Sequence, residues 1–563
     1  GRLLRGGLLM IPGLPPLVHL ETVTLGSDAS DVTLPASGTI AGHANFPAGS
    51  VHVVCIWTSR STTATTGDQG TNVNVNGDTG SNYDMQRLDG TNTSSTVAGF
   101  MESGTTTWSN LAAHTGDNQD AGFFSPTSLL LPHAFGTDNF KGALSVNGIG
   151  EQRNRFGAGQ WRSTAAITSV TITPSSDNWK AGSSFSLYVV DESYLVTSGA
   201  EILTGNSAFT NRSVPSQAGD ICIIGYLRST RSSTNDGVAL DINGDTTHTN
   251  YDNHMVYAQN TTTVTQQNYW DQNQIGGSSG NTADTNRFSP LLATVNAFNP
   301  ADNDPHVMCL SGHRSVSAAD QWVSMMSMRR NNAEAVTSVN LSPTVSSTWL
   351  AGSGQWVYAV PKVLVSRYEV EDSVDGSYTF NLSGLSIPAA ATDLRLNIYA
   401  SKDAASACDI NVVLNGDTTD ANYDFCSTYG YHGITVPLAA SSTGSRYFSG
   451  MPGSDDADTY GGGTVLLKDY ASTSKHKHYL SMFGTAQHAT INMSGRWENT
   501  AAITSIQLVP AAGNFAIGSI FELEAVGNAA PGWAGTFNGV DNPGKVNGID
   551  KADIESLIGV DSA

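Results

Sequence analysis

One short stretch recurs three times and constrains the fold more than any other feature of the chain. It reads Val75-Asn76-Gly77-Asp78-Thr79 with Asn82-Tyr83-Asp84, then Ile242-Asn243-Gly244-Asp245-Thr246 with Asn250-Tyr251-Asp252, then Leu414-Asn415-Gly416-Asp417-Thr418 with Asn422-Tyr423-Asp424. Gly244 lies 167 residues after Gly77, and Gly416 lies 172 after Gly244. Such a period is too long for a solenoid unit and suits a whole domain.

A second marker keeps the same register. Trp161-Arg162-Ser163-Thr164-Ala165-Ala166-Ile167-Thr168-Ser169-Val170 returns as Trp497-Glu498-Asn499-Thr500-Ala501-Ala502-Ile503-Thr504-Ser505-Ile506, and more weakly from Arg330 to Val339. Each copy then has an aromatic residue and a closing Gly-Ser: Trp179 to Ser183, Trp349 to Ser353, Phe515 to Ser519. The reading is three tandem copies, 19–191, 192–362 and 363–527, between an arm (1–18) and a tail (528–563).

Only 13% of the 563 residues are charged, and short apolar runs are broken by Gly, Ser, Thr, Asn and Asp, which is an all-β pattern. Val51 to Trp57 reads as a strand, and Val73 and Val75 alternate onto one sheet face. Asn-Gly supplies a turn, since both residues tolerate positive φ, and Tyr83 is expected to start the return strand. Residues 89–135 read as long surface loops. The length of each copy suits an eight-stranded, jelly-roll-like β-sandwich with extended loops. The copies differ most at 260–286 and 435–460, where binding loops are expected.

The formal charge of −22 argues against a nucleic-acid-binding surface, because that affinity comes from Lys and Arg neutralising phosphates. No stretch is long and apolar enough to insert in a membrane. Five cysteines, Cys55, Cys222, Cys309, Cys408 and Cys426, show no pairing pattern and read as buried free thiols. Cys55 and Cys222 each precede the turn glycine by the same interval, which marks them as equivalent. The arm carries Leu8, Leu9, Met10, Ile11, Leu14 and Leu17 among Pro and Gly. These side chains need cover, and a neighbouring subunit is the expected place, making the chain a homo-oligomer. In the tail, Asp550 is a plausible N-cap for a short helix over 552–558.

The Asn-Gly-Asp-Thr…Asn-Tyr-Asp and Trp-Arg-Ser-Thr-Ala-Ala-Ile-Thr-Ser markers, with Asn178-Trp179-Lys180-Ala181-Gly182-Ser183-Ser184-Phe185-Ser186-Leu187-Tyr188, resemble a β-rich domain of tailed-bacteriophage structural proteins that is also widespread in environmental viral sequences. Leu20 to Gly26 looks like its opening strand, and the tail is similar to short repeats near the ends of phage tail and fibre proteins. The resemblance spans most of copies one and three and copy two more loosely. It implies a virion structural protein on the particle exterior, a capsid decoration or a tail or fibre component, with other virion proteins as partners. It supplies no catalytic residues and no cofactor.

Three candidate chemistries remain. Asp78 with Asp84, Asp245 with Asp252, and Asp417 with Asp424 place carboxylates on either side of a turn, where they either hold Ca²⁺ or satisfy local backbone groups in Asx turns. The stretch from Asp541 to Asp553 echoes half of a calcium-binding dockerin loop, but Gly539 and Pro543 fall where ligands should stand. Trp108, Tyr269, Trp270, Tyr429, Tyr431 and Tyr460, in the expected loops, either stack on a host surface glycan or pack loops together. Lys475-His476-Lys477-His478 reads as a solvated strand edge. No nucleophile elbow, zinc-protease motif or phosphate loop is present, so no enzyme is expected; the alternative class is a carbohydrate-binding adhesin.

Overall fold

A computed structural model of the chain describes residues 14–527, apart from short stretches between strands (the longest are 297–303, 315–320 and 454–459), together with four two-residue strand segments between 536 and 550. No helix among the described residues is long and apolar enough to cross a membrane.

The first copy contains β1 (Leu17–Thr24), β2 (Val32–Leu34), β3 (Val53–Ser59), β4 (Asp68–Val75), β5 (Tyr83–Thr91), β6 (Ala98–Thr105), β7 (Trp108–Thr115), β8 (Ser125–Leu131), β9 (Lys141–Ile149), β10 (Arg153–Trp161), β11 (Val170–Pro174) and β12 (Ser184–Val190). They form an eight-stranded sheet in the order β1-β12-β3-β8-β9-β10-β5-β6 and a four-stranded sheet in the order β2-β11-β4-β7, both antiparallel. The second copy (Leu195–Ile202 through Gly354–Val360) and the third (Leu364–Glu369 through Ile520–Gly527) repeat both orders strand for strand. The chain is all-β and built from repeated sandwiches. The expected eight-stranded unit is corrected to one of eight plus four strands, because residues 89–135 are largely strands β5 to β8 and not loops.

The turn also does something other than expected. Asn76 and Gly77 do adopt positive φ (56° and 63°), but β4 belongs to the small sheet and β5 to the large one. The Asn-Gly turn is therefore a corner between sheets. The Tyr83 hydroxyl accepts from the amide of Val75 (3.0 Å), at the end of β4 where the chain leaves the small sheet.

The large sheets are buried on both faces. In β3, Val53, Cys55 and Trp57 face the small sheet, while Val54 and Ile56 enter a second core shared by all three copies. Register places Leu144, Met308 and Leu480 at matching positions in that core, and Val146, Leu310 and Met482 likewise. Three glycines set the approach. A Cβ on Gly148 would stand 2.0 Å from that of Ser494, one on Gly312 2.3 Å from that of Ala158, and one on Gly484 2.0 Å from that of Ser327. The glycines match one another in register, and so do their three partners. Each copy thus takes its neighbour through the same contact, and the contact closes on itself after three steps. That is the logic of a heterologous ring, executed within one chain.

The shared core revises two sequence readings. Cys55 lies in the sandwich core and Cys222 in the shared core, so they are not equivalent: the equal spacing hides a shift of one residue. Cys55, Cys222, Cys309 and Cys426 are buried free thiols, and Cys408 is half-buried. Leu14 and Leu17 are fully buried in the shared core of their own chain, and Leu17 opens β1, so neither needs a neighbouring subunit for cover. Leu8, Leu9, Met10 and Ile11 lie outside the described residues, as do the expected helix over 552–558 and positions 539 and 543. Asp550, expected as a helix cap, instead pairs with Lys545 in a two-stranded ladder.

Candidate functional site

The two sequence markers recur together because they touch. The Asn76 side chain donates to the Ala166 carbonyl (2.8 Å) and accepts from the amides of Thr168 and Ser169 (2.7 and 3.2 Å). Asn243 and Asn415 make the same bonds to Ala335, Thr337 and Ser338 and to Ala502, Thr504 and Ser505. Asp78 accepts from the Gly80 amide (2.7 Å), Asn82 Nδ2 (2.9 Å) and Trp161 Nε1 (2.6 Å). Asp417 accepts the matching trio from Thr419, Asn422 and Trp497. In the second copy Arg330 stands where the tryptophan should be, and its guanidinium approaches Asp245 at 3.3 Å. The weak second marker is this indole-to-guanidinium exchange.

These contacts place the first aspartate of each pair in an Asx corner. The Trp161 hydrogen bond first, then those from Asn82 and Gly80, hold the Asp78 carboxyl below the usual carboxylate range despite its partial desolvation. Desolvation raises Asp245 and Asp417, but hydrogen bonds outweigh it and both end lowered. The second aspartates turn elsewhere. Asp84 takes the Gly104 amide (3.0 Å), Asp252 takes Arg329 (3.1 Å) and Asn331 (2.7 Å), and Asp424 takes Arg496 (2.7 Å). Carboxylates committed to N–H donors and guanidinium groups form Asx corners and ion pairs. Among the described residues no group of three His, Cys, Asp or Glu is placed to hold a metal.

The basic cluster is likewise structural. Lys477–Gly484 is an interior strand of the third large sheet, and Lys477 and His478 are buried, contrary to the expected solvated edge. Lys477 donates to the carbonyls of Ser472, Lys475 and Thr500, and burial pushes its pKa down to about 8. His478 stacks on Phe123 of the first copy (5.1 Å, 15°).

The aromatic candidates separate into four outcomes. Trp108 is wholly buried in β7, edge-on to Tyr83 (5.4 Å), so it is core and not a loop residue. Tyr460 stacks on Tyr399 (4.6 Å) and donates to the Ile517 carbonyl (2.5 Å), packing its loop. Tyr269 and Trp270 belong to the strand Val264–Trp270, paired with Asn253 and Asp252, and not to a loop. Tyr429 and Tyr431 come together at a cavity.

That cavity is a cleft of about 480 Å³ between the two sheets of the third sandwich. Phe425, Tyr429 and Tyr431 form one wall from the strand Tyr423–Tyr431; Tyr447, Gly450, Ile491 and Ala489 complete it. Tyr431 is 42% exposed, and its backbone is pinned from the second copy by Gln266, through 2.6 and 2.8 Å bonds.

The same end of the other sandwiches is closed. Asp89, Tyr257 and Tyr429 stand at equal distances from the corner tyrosines, opposite Arg155, Ser324 and Ile491. In the first copy Asp89 and Arg155 form a two-point ion pair (2.6 and 2.9 Å), with Arg87 and Arg153 alongside. Burial works to raise the Asp89 carboxyl, but the guanidinium groups of Arg155 and Arg87 outweigh it and hold it low. In the second copy Trp322 fills the end, stacked on Tyr257 (4.9 Å, 14°) and close against Gly277. In the third copy the position of Trp322 is Ala489 and that of Gly277 is Gly450. The tryptophan lid is missing, and Gly450 lines the cleft. Sequence reading found Tyr429 and Tyr431 but missed Ala489, whose contribution is the side chain it lacks.

No protein-family model matches the chain, and no curated protein matches it. Solved structures with some likeness include a galectin from Caenorhabditis elegans (12% identity, 28% of this chain, 95% of that chain, TM-score 0.15). Another is the CBM40 of the Ruminococcus gnavus IT-sialidase bound to α2,6-sialyllactose (11% identity, 28% and 91% covered, TM-score 0.15). A third is the exo-inulinase from Aspergillus awamori (10% identity, 92% and 88% covered, TM-score 0.20). At these TM-scores the likenesses carry no argument about function.

Proposed function

We propose that this chain is a non-enzymatic structural protein on the exterior of a tailed-phage virion, a capsid decoration or a tail or fibre component. The observation that carries the reading is the closed intrachain ring of Gly148, Gly312 and Gly484 against Ser494, Ala158 and Ser327. It joins three duplicated sandwiches into one stiff body and spends their large-sheet faces on each other, which suits reach and rigidity. The repeated sequence markers supply the phage context. Other virion proteins are its partners. The test is immunogold labelling of intact tailed particles with antibody to the full chain. Labelling on the particle surface supports the reading; a chain abundant in infected lysate yet absent from purified particles overturns it. Mass-resolved oligomeric state, with Leu8, Leu9, Met10 and Ile11 changed together to Ser, tests whether the arm joins subunits.

A second reading, a carbohydrate-binding adhesin, is favoured by the open aromatic cleft of the third sandwich. Glycan-array binding that disappears with Tyr429→Ala supports it.

A further inference from the structure

We infer that the cleft of the third sandwich is a binding site for a neutral hexopyranose, which gives the carbohydrate reading its substrate class and rests on it.

The cleft is specific to this copy. Its space is taken by the Arg155–Asp89 pair in the first sandwich and by Trp322 in the second. A third position also differs. Asp409, opposite Gly450, is matched by Gly70 and Gly237, so only this copy carries a carboxylate at that position. Ala489 and Asp409 thus open the space and furnish it.

The lining pairs flat apolar walls with hydrogen-bonding groups that the protein leaves unused. Thr485 is 3% exposed, lines the cleft, and its hydroxyl has no partner among the described residues. The hydroxyls of Tyr429 and Tyr447 make no hydrogen bond to the described residues, although both rings line the cavity. A buried hydroxyl left unpaired is costly, so a ligand that satisfies it gains what the apo protein lacks. Few polar groups converging on aromatic walls in a space of this size is the usual make-up of a small-molecule site.

The ligand follows from these groups. A pyranose has one face of C–H bonds to lie on Tyr429 or Tyr431, and an edge of hydroxyls that both donate and accept. Those hydroxyls match Thr485 and the tyrosines, and a vicinal pair can donate to Asp409. None of the lining residues is Lys, Arg or His, and the one charge is the Asp409 carboxylate, so an anionic sugar is repelled. An organic cation would satisfy the walls and Asp409 but leave Thr485 unpaired. A single ring of this size binds with a dissociation constant on the order of 1 mM.

The test uses the full chain and four probes: methyl α-glucoside, methyl α-mannoside, galacturonate and choline. Binding is followed by ligand-observed NMR and by protection of Cys408, the one half-buried thiol and a residue of the cleft, from maleimide. At least one neutral glycoside should bind and slow Cys408 labelling, with about tenfold weaker binding in Ala489→Trp, which rebuilds the lid of the second sandwich. Tyr429→Ala should weaken binding without that added bulk, so a misfolded lid variant does not decide the matter. Preference for galacturonate or choline overturns the inference. Neutral glycosides that bind without protecting Cys408, and equally well in both variants, leave the carbohydrate reading standing and overturn this site. If no probe binds to the wild-type chain, this inference and the carbohydrate reading fall together.

Discussion

The first and third sandwiches share a strand order and a corner motif, yet they end differently. In the first, Asp89 is wholly buried and answered by Arg155, Arg87 and Arg153. In the third, Tyr429 stands at the Asp89 position and Ile491 at the Arg155 position, and the end stays open. A duplicated scaffold needs the corner and the shared core in every copy. It does not need the same chemistry at every end, so two ends are sealed in different ways and one stays open.

The largest effect expected from breaking this contrast is at the sealed end. Asp89→Ala strands the buried guanidinium of Arg155 and should cost about 3–5 kcal/mol in urea unfolding; Tyr429→Ala, at the matching half-buried position, should cost about 1 kcal/mol. Because Arg155 and Arg87 hold the Asp89 carboxyl below its unfolded value, its stabilisation is present above about pH 4 and lost as pH falls through the folded pKa. Acid should therefore weaken the wild-type chain more than Asp89→Asn, measured as the shift in unfolding midpoint between pH 5 and pH 3.

Next comes the lid. Trp322→Ala should cost about 3 kcal/mol and open a second cleft over Gly277, detectable as new binding of a small aromatic probe. The ring contact should be more forgiving. Gly312→Ala forces a Cβ against Ala158 and should cost about 1–3 kcal/mol, with Gly148→Ala and Gly484→Ala alike if the ring is truly threefold. A very unequal trio in thermal unfolding would break the equivalence.

The smallest effect lies between the first and second sandwiches. Burial raises the Glu192 carboxyl to about 7, against hydrogen bonds from Tyr358 and the Val51 amide. A carboxyl raised in the folded state stabilises below its unfolded pKa, and that contribution is lost as pH rises through the folded value. Stability should thus decline modestly from about pH 4.5 to pH 7, and Glu192→Gln should flatten the profile.

Much of the scaffold was legible in the chain. Asn76 and Gly77 announced positive φ, Val73 and Val75 announced a sheet face, and the spacing of the markers announced duplication. The candidate site was half legible. Tyr429 and Tyr431 stood out as aromatics in a divergent region, but Trp108 stood out equally and is core. Nothing local distinguishes an aromatic that lines a cavity from one that fills it.

What the sequence determined by itself is what depends on near neighbours: turns, alternation, the Asx bonds of Asp78 and the repetition of all three. The tertiary structure alone decided that the corner crosses between sheets, that Leu14 and Leu17 find cover within their own chain, and that Gly148, Gly312 and Gly484 close a ring. It also decided that Ala489 leaves a cleft open. Each of these depends on a partner far along the chain, or on the volume a partner does not fill, and sequence periodicity records neither.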